Sequence, residues 1–242
     1  MTADIEDRPL RAYQDIHTAW ERLAEYLGED FRPHLTDCQS CCTFVEEEFA
    51  RYGPVDFYRF SRGYLYELTC FHFTPYKDPF FRMVTRFAEA HALRNLGDVG
   101  CGVGLDAQAL MSAGYAVTLY DFPCPSLGYA AWRLARDLGT CDVTRPLSDL
   151  ASECHDLVYA VDVVEHLAEP AAFVGRLFTA AKHVAVNLFA HDQGPWDGKD
   201  MHYPLDHWSL LPVFSRYGDL VQVAISGDTV CTLWRCKRGS TL

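Results

Sequence analysis

The pattern of apolar and polar positions changes character near residue 90. Over Leu10 to Leu27, the residues Tyr13, Ile16, Trp20, Leu23, Tyr26 and Leu27 recur at spacings of three or four, which predicts an amphipathic helix ended near Gly28. Further helices are expected over Cys41 to Tyr52, stopped by Gly53-Pro54, over Phe57 to Phe71, and over Asp78 to Arg94 with Pro79 in its first turn. Beyond that point short apolar runs take over. Strands are expected at Leu96 to Asp98, Ala116 to Tyr120, Cys141, Leu157 to Val161 and His183 to Phe189. Helical stretches at Asp106 to Ala113, Ser126 to Leu138 and Ala171 to Ala181 separate them. Repeated strand–helix units imply an α/β fold with a parallel sheet and a ligand at the carboxyl ends of its strands. Leu220 to Ile225 and Thr229 to Lys237, joined by Ser-Gly-Asp, read as a closing antiparallel hairpin. Residues 1–90 are thus expected to form a helical layer and residues 91–242 a sheet domain.

The chain is organised around Asp98-Val-Gly100-Cys-Gly102-Val-Gly104. Alternate glycines between a strand and a helix make a tight loop that a ligand can approach where a Cβ would collide. The spacing differs from the dinucleotide fingerprint, whose third glycine falls one residue later. Asp98 would repel a pyrophosphate and suits a ligand carrying an ammonium or sulfonium group. About twenty residues on, the strand Tyr115-Ala-Val-Thr-Leu-Tyr-Asp121 ends in a second carboxylate, placed to accept ribose hydroxyls.

These residues resemble class I S-adenosylmethionine-dependent methyltransferases. Asp98 to Gly104 is similar to that family's first motif and Asp121 to its ribose-binding acid. Asp156-Leu-Val-Tyr-Ala-Val-Asp162-Val-Val-Glu165-His166-Leu is similar to its fourth-strand segment, and Gly139-Thr-Cys141-Asp142-Val to the loop that meets the adenine. The resemblance spans roughly Leu93 to Lys237. It implies a three-layer Rossmann-like sheet, mostly parallel with an antiparallel last strand, under an N-terminal helical lid. It also implies S-adenosylmethionine held by Asp98, Gly100, Cys101, Gly102, Gly104, Asp121, Phe122, Asp142, Val143, Asp162 and Val163. No Asn/Asp-Pro-Pro-Tyr/Phe segment follows the fourth strand, so exocyclic base-amine methylation fits poorly. What remains resembles small-molecule methyltransferases of secondary or intermediary metabolism, acting at O, N or C. An enzyme using the same cofactor for cyclisation or rearrangement, and a non-catalytic partner protein of the same fold, stand as alternatives.

Composition narrows the partners. A formal net charge of -12 over 242 residues argues against nucleic-acid binding, which needs a basic surface. No apolar run approaches the length of a membrane span, and the N-terminus lacks the basic and apolar regions of a signal peptide. A cytoplasmic enzyme acting on a small molecule is expected; oligomeric state is not legible. Eleven aromatic residues crowd between Tyr52 and Phe81, more than a thin helical layer needs for its own core. Most are expected to pack against the sheet, with some lining a pocket above the sulfonium, and Tyr64 and Tyr66, two apart, cannot share a helix face.

The segment His191 to Trp208 holds three His, four Asp, one Tyr and two Trp, and follows the fifth strand. It reads as turn chemistry, as a substrate-binding loop with a His base, or as a metal site from His191, Asp192, His202 or His207. Its spacing matches no helix-face ligand pair, so no metal ligands are assigned. His166 and His202 are the candidate catalytic bases; Tyr64, Tyr76, His191 and Tyr203 are candidate substrate contacts. The ten cysteines suit reduced thiols. Cys38, Cys41 and Cys42 have the start of a zinc spacing, but a second ligand pair at a fitting spacing is missing; Cys70 with His72 is the only nearby candidate, and packing thiols are the favoured reading.

Overall fold

A computed structural model describes residues 10–152, 155–190, 201–203 and 205–237. The chain forms helices α1 (Ile16–Leu27), α2 (Cys38–Phe60), α3 (Gly63–His72) and α4 (Asp78–Ala90), then β1 (Asn95–Val99), α5 (Leu105–Ser112), β2 (Ala116–Asp121) and α6 (Pro125–Leu138). There follow β3 (Thr144–Pro146), β4 (His155–Ala160), α7 (Pro170–Ala180), β5 (Ala181–Phe189), α8 (Leu211–Tyr217), β6 (Gly218–Ser226) and β7 (Thr229–Cys236). The seven strands form one sheet in the order β3-β2-β1-β4-β5-β7-β6. All pairs from β3 to β5 are parallel, and β7 runs antiparallel between β5 and β6. This is the expected α/β architecture with its last strand reversed.

Several element ends differ from the sequence pattern for identifiable reasons. The first helix begins at Ile16, six residues late, because Asp15 accepts a hydrogen bond from the Thr18 N–H and caps it there. Gly53-Pro54 kinks α2 without ending it: Gly53 turns at φ 74° and the helix resumes to Phe60. The break falls instead at Ser61. Its hydroxyl accepts from the Tyr64 N–H, while Glu48 Oε2 receives the Ser61 hydroxyl and the Gly63 N–H, so a side chain thirteen residues upstream redirects the chain. The fourth helix stops at Ala90, with Ala92 left-handed at φ 52°. The expected strand at Cys141 lies at Thr144–Pro146. Gly139 and Asp142 both take positive φ, and the exposed Cys141 belongs to the turn between them. The helix α8 has no counterpart in the sequence reading.

Two apolar clusters sandwich the sheet. On one face Phe80, Phe81, Val84 and Phe87 of α4 join Leu96, Leu110, Leu119, Leu134 and Tyr159, so α4 is a layer of the sheet's own core. On the other face Phe173, Val174 and Leu177 of α7 pack with Val158, Val186, Phe214 and Trp234. A third cluster joins Trp20, Leu23, Leu65 and Tyr66 to Val103, Leu105 and Tyr129, and this fixes the N-terminal helices over the carboxyl end of β1. Cys41 and Cys70 are reduced thiols buried in that cluster, with a side-chain hydrogen bond between them. His72 is engaged elsewhere: Nδ1 meets Asp106 Oδ1 at 2.7 Å and Nε2 accepts the Ala12 N–H at 3.1 Å. The side chain of Cys38 lies outside the described residues. No described helix is long and apolar enough to cross a membrane.

Candidate functional site

Parallel pairing places Asp98 beside Leu119 and Tyr159, and Val99 beside Tyr120, so Asp98 and Asp121 end neighbouring strands. Between them the chain turns through Gly100 (φ 75°) and Gly102 (φ 52°). A Cβ on Gly100 would come within 2.5 Å of Val163 Cγ2, and one on Gly102 within 2.8 Å of Leu68 Cδ1. Both positions therefore need glycine because neighbouring elements close on them. Gly104 serves differently: a Cβ there would meet Leu119 and Ala130, so it lets α5 settle against β2 and α6, off the cavity wall. The buried Arg133 buttresses the loop from below, donating from Nη2 to the Val103 carbonyl at 2.7 Å.

Above this loop lies a cavity of about 420 Å³, within the ordinary range for a small-molecule site. Its floor is Asp98, Gly100, Cys101, Gly102, Asp121, Phe122, Asp162 and Val163; its roof is Tyr58, Tyr64, Leu68, Phe71, Tyr76 and Phe81. His166 and His202 line one end. Tyr64 faces this cavity, whereas Tyr66 points to the third cluster and accepts the Arg32 N–H, so the two rings do part. The structure does not bring Asp142, Val143, Gly104 or Tyr203 to the wall. Asp142 is exposed, left-handed at φ 61°, with its carbonyl bonded by Arg145. Tyr203 acts through its backbone, donating to the Glu165 carbonyl at 2.7 Å. His191 lies outside the described residues.

Among the described residues six carboxylates line the cavity, Glu67, Asp98, Asp106, Asp121, Asp162 and Glu165, against a single lysine, Lys77. Burial would raise Asp106, but Lys77 at 3.4 Å and His72 outweigh it and hold its pKa well below the usual carboxylate range. The others go up. Burial, with the charge of Asp106, pushes Asp98 well above its ordinary value. Burial raises Asp121 and Asp162 to about 6 each, and Glu67 to about 8. Asp121 stays ionisable because its oxygens accept the Gly102 and Phe122 N–H groups at 3.1 and 2.8 Å. Such a cavity is short of positive charge, which a cationic ligand would supply.

The rest of the wall is built by contacts between segments distant in sequence. Asp162, left-handed at φ 55°, is held by Asn187: its N–H donates to Asn187 Oδ1 at 2.8 Å and its Oδ1 accepts from Asn187 Nδ2 at 2.9 Å. Tyr58 donates its hydroxyl proton to the Met201 carbonyl at 2.9 Å, so its oxygen accepts from His166 Nδ1–H at 2.7 Å. That assignment leaves Nε2 of His166 as the lone-pair nitrogen. Burial, aided by His202, lowers the His166 pKa to about 3, so the ring is neutral. Tyr58, Lys77, Asp106 and Asn187 were not read from the sequence as site residues. Only Asp106, an acid in the first turn of a helix after a glycine loop, carried a local signal.

Comparison with known proteins agrees with this geometry. Residues 97–184 match the family model described as a methyltransferase domain. No curated protein matches the sequence. Among solved structures, magnesium protoporphyrin IX methyltransferase (ChlM) from Synechocystis PCC 6803 with bound SAM aligns at TM-score 0.55 and 17% identity, over 81% of this chain and 97% of that one. The N-terminal domain of EvdMO1 with SAH bound aligns at TM-score 0.51 and 15% identity, over 86% and 100%. At these identities the structural likeness is one of fold. Residues 97–184 thus resemble a methyltransferase domain, on a fold shared with these two structures.

Proposed function

We propose that the protein transfers the methyl group of S-adenosylmethionine to a small-molecule acceptor, with both bound in the cavity over the Gly100–Gly102 loop. The observation that carries this reading is the continuity of one cavity from the carboxylates of Asp98 and Asp121 to the Tyr58, His166 and His202 end, under an aromatic roof. In this reading Asp98, Lys77 and the loop backbone hold the charged amino-acid end of the cofactor, Asp121 accepts the ribose hydroxyls, and Phe122 flanks the base. Asp162 and Val163 close the cofactor's side of the pocket. The roof of Tyr58, Tyr64, Leu68, Phe71, Tyr76 and Phe81 orders the acceptor and excludes water. The cofactor supplies an electrophilic methyl on a sulfonium, and the ammonium and sulfonium charges answer the surplus of carboxylates.

In-line positioning of the acceptor is the larger contribution, worth about 7 to 11 kcal/mol, against about 3 to 5 kcal/mol for proton transfer by one side chain. The acceptor end is apolar and aromatic apart from Glu165, His166 and His202, which suits a small, largely uncharged metabolite handled in the cytoplasm. The test is calorimetric titration with S-adenosylhomocysteine, with NAD as control, followed by mass screening of metabolites for methylated products. Micromolar binding of S-adenosylhomocysteine alone is expected. Asp121→Ala is expected to weaken it by roughly 1.5 to 3 kcal/mol, the range for hydrogen bonds to a charged group. Unchanged affinity would remove Asp121 from the site. A mass gain other than one methyl group would favour the cyclising or rearranging chemistry.

The pH dependence has a definite sign. In the unliganded protein Asp121 keeps its proton up to about pH 6, whereas in the unfolded chain it loses it near the ordinary value of about 3.9. Ionisation of this group therefore works against the unliganded fold as pH rises from about 4 through 6. A ribose diol donates hydrogen bonds to the carboxylate form, so affinity should be full above pH 6 and fall roughly tenfold per unit below it. Titrations at pH 7.5 and 5 read this directly, and Asp121→Asn should flatten the profile.

A further inference from the structure

Glu165 is 0% exposed, lines the cavity, and neither of its carboxylate oxygens has a hydrogen-bond partner among the described residues. An orphaned carboxylate of this kind is costly and points to a positively charged occupant. Two imidazoles converge on it. His166 follows Glu165 in the turn after β4, and His202 arrives from the segment after β5, where the Tyr203 N–H is bonded to the Glu165 carbonyl. One ligand atom from each of the three side chains lies within 4.8 Å of the others. The His166 ring is already oriented as a ligand would be: Nδ1–H points to Tyr58 Oη and the Met201 carbonyl, which leaves Nε2 to coordinate. We propose that Glu165, His166 and His202 bind a divalent first-row metal ion at the acceptor end of the cavity.

Two imidazoles and one carboxylate on one side of an ion leave further coordination positions open, here toward the cavity. Resting on the methyl-transfer reading, this specifies the acceptor as an oxygen, best a hydroxyl with a second oxygen beside it. A metal ion there would lower the pKa of that hydroxyl and fix its position. On transfer the carbon–sulfur bond breaks with its electron pair kept by sulfur, the carbon–oxygen bond forms, and the hydroxyl proton leaves to solvent. The role of His166 is then to hold the ion through Nε2.

The test is titration of the chelator-treated, full-length protein with Mn2+ alone, read by calorimetry at pH 7.5. Mn2+ is the probe because the cysteine thiols would also take Zn2+. One ion per chain is expected, with affinity weakened tenfold or more in Glu165→Gln and in His202→Asn. S-adenosylhomocysteine binding by His202→Asn is expected to stay within twofold of the parent, which also shows that the variant is folded. Absence of saturable Mn2+ binding, or equal affinity in parent and variants, overturns the proposal. Mn2+ binding without S-adenosylhomocysteine binding would keep the metal site and discard methyl transfer; the converse would keep methyl transfer and discard the metal site.

Discussion

Gly104→Ala is expected to destabilise the fold by roughly 2 to 5 kcal/mol. Two effects add. Gly104 sits at φ 67°, where an L side chain costs about 1 to 2 kcal/mol. Its Cβ would also lie 2.7 Å from Leu119 Cδ2 and 3.1 Å from Ala130 Cβ, and overpacking of that kind costs about 1 to 3 kcal/mol. The neighbours cannot yield easily, since Leu119 and Ala130 are fully buried. For a chain of this size the fall in thermal midpoint is roughly 4 to 20 °C. Gly114→Ala separates the two effects. Gly114 has φ 94° and open space around it, so only the conformational part should appear there. Equal losses at the two positions would sink the packing argument for Gly104.

His166→Ala is expected to lower kcat by roughly 10² to 10⁴ at saturating acceptor, with S-adenosylhomocysteine affinity nearly unchanged. The ring occupies the acceptor end of the cavity, away from Asp98 and Asp121, so its loss acts on the reacting end and spares the cofactor. Tyr58→Phe is the companion variant. It removes the hydroxyl that accepts from His166 Nδ1–H and bonds Met201, which frees the ring and the segment carrying His202. A smaller fall in kcat is expected, since the imidazole itself remains. A drop in cofactor affinity equal to the drop in turnover, for either variant, would show that this end of the cavity serves the cofactor.

The parts of the site nearest in sequence were the legible ones. Asp98, the three glycines and Asp121 announce themselves because a strand end, a tight loop and a second strand end have local signatures, and the structure sets the first acid and the last at the carboxyl ends of adjacent strands. The same local reasoning assigned Gly104 to the cofactor with its neighbours, though its hydrogen atom faces β2 and α6. Spacing shows that a glycine is needed; it does not show which neighbour requires it. Order along the chain puts Asp142 and Val143 at the cavity, but after a turn with two positive-φ residues Asp142 is exposed and Val143 packs against the sheet's core, neither lining the cavity. Burial decided the character of the carboxylates. Nothing in the sequence separates Asp106, held ionised by Lys77 and His72, from Glu165, left without a partner.

The sequence by itself determined the sheet class, the reversed final strand, the glycine loop and the preference for a cationic cofactor, because each rests on periodicity, turn chemistry or charge within a few neighbouring residues. Only the tertiary structure decided what completes the walls of the cavity. Tyr58, Lys77, His166, Asn187 and His202 come from five separate segments, between 58 and 202, and meet through hydrogen bonds and packing that no spacing rule encodes. Secondary structure answers to neighbours along the chain. A pocket answers to neighbours in space, and those are fixed only when the apolar faces of the N-terminal helices and the sheet have closed on one another.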